Sequence, residues 1–334
     1  MNSLTALNPN SILDIPKQGM PVTIITGFLG SGKTTLLNYI LQNCQDLKVA
    51  VLVNEFGDIN IDSQLLVSVD ENMMELTNGC ICCTINDGLL DAVYSVLERN
   101  DRIDYLIVET TGIADPLPIA LTFLGTDLQD LTRLDAILTL VDAETFTEDH
   151  FQSDAALNQI AYGDIILLNK TDLVSEKTVN ELEHLICDVK TGARILRSQY
   201  GKVPLPLILD VGFSQSALFA STKESSHHHH HTEHHHHSDH LANDGFMSVS
   251  FQSDRPFSLV KFQKFLEDLD KNIFRAKGIL WFKESSLRHI FQLSGKRIEL
   301  QTEQWQQQRS NQLVFIGRNL NATQLQEQLT NCLI

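Results

Sequence analysis

The sequence predicts an α/β protein with a doubly wound, mainly parallel sheet, followed by a smaller C-terminal α+β domain. In the first two thirds of the chain, short runs rich in Val, Ile and Leu alternate with segments of helical spacing. Runs that are apolar throughout suit strands buried on both faces, as in a parallel sheet covered by helices. The strand-like runs are residues 22–26, 48–53, 105–109, 136–142 and 164–170.

The segment before the third run is a predicted amphipathic helix. Asn86 or Asp87 is expected to cap its start near Leu89. The residues that share its apolar face are Leu89, Leu90, Val93, Val96 and Leu97. In a doubly wound sheet the ligand binds at the carboxyl ends of the strands, so polar residues that follow the runs are the functional candidates.

The residues "GFLGSGKTT" (27–35) follow the first run and open a helix, which is the context of a P-loop, G-x-x-x-x-G-K-[ST]. The loop amides are expected to wrap phosphates, with Lys33 reaching the β- and γ-phosphates and Thr34 ligating Mg²⁺. The residues assigned to the nucleotide here are Gly27, Gly30, Ser31, Gly32, Lys33, Thr34 and Thr35. A glycine-rich turn that matches by chance is disfavoured by this context, so we predict a P-loop NTPase.

Two further strand ends complete the predicted nucleotide site. "VETTG" (108–112) ends the third run, where Glu109 is expected to position Mg²⁺ or the attacking water and Gly112 to offer its N–H to the γ-phosphate. Lys33 and Glu109 are thus the catalytic candidates. The alternative for Glu109 is a carboxylate that only caps the next segment.

"NKTD" (169–172) ends the last run and favours GTP over ATP. Asp172 can accept hydrogen bonds from the ring N–H and amino group of guanine, which adenine does not offer. Lys170 can lie along the base plane, Asn169 can brace the loop, and Ser198 is a candidate for a further base contact. Asn and Asp are common in turns, so these four residues alone are weak evidence. The prediction of a guanine site depends on their position at the end of a buried strand.

Three of the six cysteines, Cys80, Cys82 and Cys83, lie within "NGCICCTINDG" (78–88). In an extended piece Cys80 and Cys82 point the same way, and a turn at Cys82–Cys83 brings in the third thiol. Three sulfur ligands with an open fourth position suit a metal that must leave again; they select Zn²⁺, Cu⁺ or, less well, Co²⁺. Buried cysteines acting as small hydrophobes and a redox pair are the alternatives, and the polar flank disfavours a core strand.

Composition limits the partners and the compartment. The chain has 334 residues, a net charge of -17 and a pI of about 5.1, which favours small cations over nucleic acid. The start of the sequence does not resemble a secretory signal, and no run approaches the ~20 apolar residues of a membrane span. We therefore expect a cytoplasmic protein without a membrane partner, in which clustered thiols bind metal or do chemistry.

Residues 223–245 hold ten of the thirteen histidines and almost no apolar residue, so a flexible linker that collects metal weakly is predicted there. A solvated spacer is the alternative. The sequence after it predicts strands near 246–252, 273–283, 287–294, 297–302 and 312–317, and helices near 258–270 and 322–332. Trp281, Phe282 and Trp305 are expected to pack, and His289 alone is weak support for a ligand.

In order along the chain, "GFLGSGKTTLLN", "VNEFGDINID", "NGCICC", "ETTGIADP" and "NKTD" resemble the CobW-type branch of the metal-insertion P-loop GTPases. The later "FRAKGILWF", "FQLSGKR" and "LVFIGRNL" resemble the second domain of that branch. The resemblance covers most of residues 20–200 and the C-terminal part. The predicted divisions are an N-terminal extension (1–20), a GTPase domain (21–215), a His-rich linker (216–245) and a C-terminal domain (246–334).

The resemblance implies a slow GTPase that delivers a metal to a client protein, with the C-x-C-C thiols as core ligands and zinc as the commonest cargo. It makes Asp58 a candidate ligand, while Val53 stands where some members have a further acidic residue. Cobalt delivery for cobalamin synthesis, a His-rich metal buffer with a regulatory nucleotide site, and a GTPase with structural thiols are the alternatives. A homodimer is left open.

Overall fold

Seven strands form the sheet of the described chain up to Asp210. They are β1 (Met20–Gly27), β2 (Val49–Val53), β3 (Met73–Glu75), β4 (Tyr105–Glu109), β5 (Thr132–Asp142), β6 (Ile165–Asn169) and β7 (Ile195–Arg197). Their order is β3-β2-β4-β1-β5-β6-β7, and every neighbouring pair is parallel. The structure, a computed structural model, describes residues 19–44, 47–53, 73–75, 81–99, 103–125, 127–147, 150, 153–210, 246–306 and 308–334.

Helices cover both faces of this sheet, which confirms the predicted doubly wound fold. They are α1 (Lys33–Asn43), α2 (Ile81–Leu97), α3 (Pro116–Leu124), α4 (Asp154–Tyr162), α5 (Glu176–Val189) and α6 (Leu205–Ile208). One apolar cluster joins β1, β2 and β4 to α2 and α3, and another joins β5 and β6 to α4 and α5. With β1 in the middle of the sheet, the P-loop lies at its carboxyl edge, where ligands bind in such folds.

Two strands differ from the prediction because their sequences do not form a continuous apolar run. β3 has only three residues, too short to form an apolar run, so Glu109 ends the fourth strand of the chain and not the third. β5 begins at Thr132, four residues before the predicted start, since its first part contains the polar Arg133 and Asp135. Both side chains are buried and form a salt bridge at 3.6 Å, which lets polar residues occupy a buried strand.

The helix predicted to begin near Leu89 begins at Ile81, so the expected caps Asn86 and Asp87 lie inside it. The predicted start was wrong because "NDG" resembles a turn, although the helical spacing of apolar residues continues back from Leu89 through Ile85 to Ile81. Cys82 and Cys83 consequently lie in the first turn of α2, not in an extended piece.

The described part of the second unit starts at Phe246 and contains a five-stranded sheet in the order β11-β10-β9-β12-β8, with β12 antiparallel to both of its neighbours. Its elements are β8 (Phe246–Ser253), α7 (Leu259–Glu267), β9 (Ile273–Leu280), β10 (Arg288–Ser294), β11 (Arg297–Glu303), β12 (Asn311–Arg318) and α8 (Ala322–Cys332). The predicted α+β domain is therefore confirmed.

Phenylalanine rings in stacked and edge-on contact pack with two helices in the core of this second unit. Phe282 lies in that core, as predicted, while Trp281 and Trp305 are half-buried. His289 packs edge-on against Phe282, and burial lowers its pKa. In the described parts of both units, no helix is long and apolar enough to cross a membrane.

Candidate nucleotide and metal site

The P-loop connects the carboxyl end of β1 to the first residue of α1, so its geometry follows from those two elements. Gly32 has φ 99°, and a Cβ there would come within 2.5 Å of the Asn169 amide nitrogen. Only glycine fits this position without strain, because positive φ and a close neighbour coincide. The Lys33 ammonium group donates to the carbonyl oxygens of Gly27 at 3.1 Å and Phe28 at 3.4 Å, which places the cation on the loop itself.

Thr34 and Glu109 meet at the same edge of the sheet. The Thr34 hydroxyl donates to the Glu109 carboxylate at 3.2 Å, and Glu109 is 3% exposed at the end of β4. A hydroxyl and a carboxylate that face each other beside a phosphate loop are the oxygen ligands that Mg²⁺ prefers. Ser31 is fully buried, and its hydroxyl makes no hydrogen bond to any part of the chain that the structure describes. These groups fit a Mg²⁺-bound nucleotide.

Asn169 joins the P-loop to the loop that follows β6. Its buried amide donates to the Ser31 carbonyl at 3.0 Å, while its carbonyl accepts from the Ser198 hydroxyl at 3.1 Å and the Gly201 amide at 3.0 Å. Thr171 donates to the Ser198 carbonyl as well, through its hydroxyl at 3.2 Å and its amide at 3.3 Å. Asn169 therefore links the P-loop to the segment around Ser198 by buried hydrogen bonds, while its part in nucleotide binding stays a prediction.

Replacement of Asn169 by alanine should destabilise the protein by at least about 2 kcal/mol, because three buried groups lose a partner. It should also weaken GTP binding, since the P-loop loses its contact with β6. Thermal unfolding and nucleotide titration measure the two effects. Asn43→Ala is a matched control, because the exposed Asn43 amide donates to the Tyr39 carbonyl of its own helix at 2.7 Å. If Asn169→Ala behaves like the control, the bracing role is wrong.

Lys170 forms an ion pair that the sequence did not predict. Its ammonium group lies 2.7 Å from the Asp142 carboxylate at the end of β5, and its backbone is left-handed with φ 60°. Burial acts to raise the pKa of Asp142, but hydrogen bonds from Lys170 and from residues 144 and 145 outweigh it and hold the pKa below its usual value. Asp172 is exposed on the short 3-10 helix Thr171–Leu173 that follows, where a base can reach it.

Asp142→Asn should lower stability near neutral pH by about 1 kcal/mol, because the ion pair with Lys170 is partly exposed to water. Since folding lowers the pKa of Asp142, its stabilisation is present above the ordinary pKa of 3.8 and disappears as the pH falls through that range. Urea unfolding of both proteins from neutral to acid pH should therefore show a shrinking difference. Glu144→Gln, at an exposed neighbour, is the control; a difference independent of pH would contradict the prediction.

The described residues show only part of the predicted metal centre. Cys82 and Cys83 lie in the first turn of α2, whereas Cys80 and Asp58 lie outside the described residues. Within the described ranges, no group of three or more His, Cys, Asp or Glu side chains is arranged to hold a metal ion. The thiol cluster thus stays a prediction.

Two of the other three cysteines, Cys44 and Cys332, are poor candidates for metal binding. Burial raises the pKa of Cys44 to about 11 and also raises that of Cys332, so both thiols are protonated at neutral pH. The Cys332 sulfur contacts the carbonyl oxygens of Lys261 and Gln328 at 3.6 and 3.3 Å in the C-terminal unit. Since metals bind the thiolate, Cys44 and Cys332 are disfavoured as ligands.

Sequence reasoning missed Asp142 and Gln159. Asp142 ends a predicted strand, so the argument that selected Glu109 could have found it. Gln159 lies within a helix and gave no local signal; its role depends on the loop after β4 that folds against it.

A parallel sheet with a lysine-bearing phosphate loop, an acidic residue at the end of a central strand and a braced N-K-x-D loop defines a P-loop NTPase suited to guanine. The family model "CobW/HypB/UreG, nucleotide-binding domain" matches residues 21–197, and "Cobalamin synthesis protein cobW C-terminal domain" matches residues 246–333. The chain belongs to the CobW/HypB/UreG family. The predicted membership of the CobW-type GTPases is confirmed.

Named relatives match most of the chain. It is 34% identical to zinc-regulated GTPase metalloprotein activator 1 of Dictyostelium discoideum, over 94% of this chain and 80% of that protein. It is also 34% identical to zinc chaperone YjiA of Escherichia coli strain K12, over 81% of this chain and 85% of that one. The crystal structure of Zn(II)-bound YjiA GTPase from E. coli aligns at 27% identity and a TM-score of 0.46, covering 95% of this chain and 99% of that one.

Proposed function

We propose that this protein is a GTP-hydrolysing metallochaperone that binds zinc at Cys80, Cys82 and Cys83 and transfers it to a client protein. The names of its relatives, which include a zinc chaperone and a zinc-regulated GTPase, support zinc over cobalt as the cargo. The matched family model supports the binding of a nucleotide, because it describes a nucleotide-binding domain.

The observation that carries the proposal is the position of the start of α2. β3 and β2 pair so that Glu75 lies opposite Val53, and β2 and β4 pair so that Val53 lies opposite Glu109. The chain leaves this rung of the sheet at Glu75 and enters α2 six residues later, at Ile81. Six residues span at most about 20 Å, so the first turn of α2, with Cys82 and Cys83, begins within that distance of the rung of the sheet that ends in Glu109.

The start of a helix also suits the chemistry of the cargo. Unpaired backbone N–H groups and the helix dipole favour negative charge there, and thiols in the first turn are biased toward thiolate. Thiolate is the form that binds zinc. The start of α2 therefore favours the binding of zinc by Cys82 and Cys83. Cys80, directly before the helix, would supply the third sulfur.

We assign the nucleotide chemistry to residues that the structure brings together. Lys33 and the loop amides hold the phosphates, Thr34 and Glu109 hold Mg²⁺ or orient water, and Asp172 recognises guanine. Bound Mg²⁺ would neutralise phosphate charge. Hydrolysis without a partner is expected to be slow, on the order of 10⁻⁴ to 10⁻² per second, as for other P-loop GTPases. Gly112 and Ser198 are proposed contacts for the γ-phosphate and the base.

The remaining parts of the chain complete the proposal. Residues 21–215 form the GTPase domain, 216–245 collect metal as a His-rich linker, and 246–334 contact the client. We place the protein in the cytoplasm, where thiols stay reduced. A homodimer is a hypothesis that sedimentation with GDP and with a GTP analogue would test.

The deciding experiment compares zinc affinity in two nucleotide states. The protein carries serine in place of the ten histidines of residues 223–245, so that weak sites do not mask the thiols. It is titrated with zinc against a chelator of known affinity, with GDP and with the non-hydrolysable analogue GMPPNP. We expect tighter zinc binding with GMPPNP, by a factor on the order of 10. Equal affinities would overturn the delivery function.

A further inference from the structure

A buried glutamine of α4 holds the loop that follows β4. Gln159 is 2% exposed, and its side-chain nitrogen donates to the carbonyl oxygens of Ala114 at 3.0 Å and Gly112 at 3.2 Å. A primary amide has two N–H donors, so one side chain satisfies two backbone carbonyls of the same loop. This loop, residues 110–115, begins directly after Glu109.

The helix that carries Gln159 is itself fixed to the sheet. The Thr139 hydroxyl of β5 donates to the Gln159 carbonyl at 2.5 Å, and the Gly163 amide donates to the same carbonyl at 3.1 Å. The side chain therefore acts from a fixed point of the fold.

The neighbouring residue holds the far end of the same loop. The Asn158 amide donates to the Asp115 carboxylate at 2.8 Å, and the other oxygen of Asp115 accepts from the Leu117 amide at 2.8 Å to cap α3. The near end is fixed by the Thr110 amide, which donates to the Ile25 carbonyl of β1 at 2.9 Å. The loop is thus held at both ends by other contacts, and its middle is held by Gln159.

The middle of the loop also lies against the P-loop. A Cβ on Gly112 would come within 2.6 Å of the Leu29 side chain and 2.7 Å of its backbone nitrogen. The position of Gly112 relative to the phosphate loop is therefore tightly limited. A loop this close to the P-loop, directly after Glu109, is in a position to contact the terminal phosphate of a bound nucleotide.

We propose that Gln159 is a positioning residue for recognition of the γ-phosphate: its buried amide holds the Gly112–Ala114 backbone so that the Gly112 N–H faces the third phosphate. This rests on the proposed function and adds how the protein distinguishes GTP from GDP. GDP lacks the γ-phosphate, so the position of this loop increases the affinity for GTP and not for GDP. Gln159 contacts no substrate and is not itself catalytic.

The test is the ratio of two affinities in Gln159→Met, which keeps the length of the side chain and removes both donors. The Kd for GMPPNP should rise about 10-fold, because the Gly112 N–H is no longer held toward the third phosphate. The Kd for GDP should change less than about 2-fold, because GDP lacks that phosphate. Thr132→Val is the matched control. It removes a buried hydrogen bond from a threonine hydroxyl to a backbone carbonyl, that of Leu128 at 3.2 Å, and leaves Gln159 and its contacts in place, so its ratio should equal that of the wild type.

A ratio in Gln159→Met equal to the wild-type ratio overturns the proposal, whatever happens to stability. If Gln159→Met does not fold, Asn158→Ala replaces it, with a smaller change of the ratio in the same direction; an unchanged ratio there overturns the proposal too. A wild type that binds both nucleotides and hydrolyses GTP keeps the proposed function even when the ratio does not move. A wild type that binds neither nucleotide overturns both.

Discussion

Replacement of Lys33 by alanine should lower GTP hydrolysis by at least about 100-fold, because the cation that stabilises charge on the transferring phosphoryl group is lost. The structure supports a large effect, since the Lys33 ammonium group lies on the phosphate loop, where it donates to the carbonyl oxygens of Gly27 and Phe28. Phosphate release and nucleotide titration measure hydrolysis and affinity separately. Both should fall.

Lys48→Ala is the control for this experiment, because Lys48 is an exposed lysine that immediately precedes β2. The same two variants distinguish between two possible functions, a GTP-driven chaperone and a metal buffer. A buffer based on the His-rich linker would keep its metal capacity and its protection of cells in Lys33→Ala. A chaperone driven by GTP would lose delivery while its capacity for metal remained. Full protection by Lys33→Ala would therefore favour the buffer.

Contiguous motifs made the phosphate and base loops predictable. The P-loop, "VETTG" and "NKTD" each combine a strand and the polar or glycine residues that follow it within a few positions. The sequence pattern itself therefore places Lys33 at the start of the helix after β1, and Glu109 and Asn169 at strand ends. The apolar runs behind them predicted the sheet for the same reason: burial on both faces leaves a composition that is visible locally.

Contacts between distant residues were not predictable in this way. Asn169 reaches Ser31 across 138 positions, and Gln159 reaches Gly112 across 47, so neither contact leaves a mark in the adjacent sequence. Gly88 misled the helix prediction, because a glycine after Asn-Asp is typical of a turn but is tolerated inside a helix when packing favours it. The apolar spacing from Leu89 back to Ile81 was the signal for the true start of α2, but the turn-like "NDG" outweighed it, so the setting of Cys82 and Cys83 was missed.

Replacing Cys80, Cys82 and Cys83 together by serine should weaken zinc binding by at least about 100-fold, more than changes in the outer shell of a metal site usually cost. The variant is built on the protein in which the ten linker histidines are serine, so that the thiols are the sites compared. Zinc affinity is measured by competition with a chelator. Cys187→Ser, a half-buried cysteine outside the cluster, should bind zinc like its parent.

The same variant tests whether metal and nucleotide are coupled. If GMPPNP tightens zinc binding by some factor, zinc must tighten GMPPNP binding by the same factor, because coupling free energies are reciprocal. The triple variant should lose both effects together and still bind GMPPNP with its basal affinity, since Lys33, Thr34 and Asn169 are unchanged. Thermal unfolding identifies the remaining alternative: a large fall in melting temperature would make the thiols structural. Loss of zinc binding at an unchanged melting temperature would make them the site that carries the cargo.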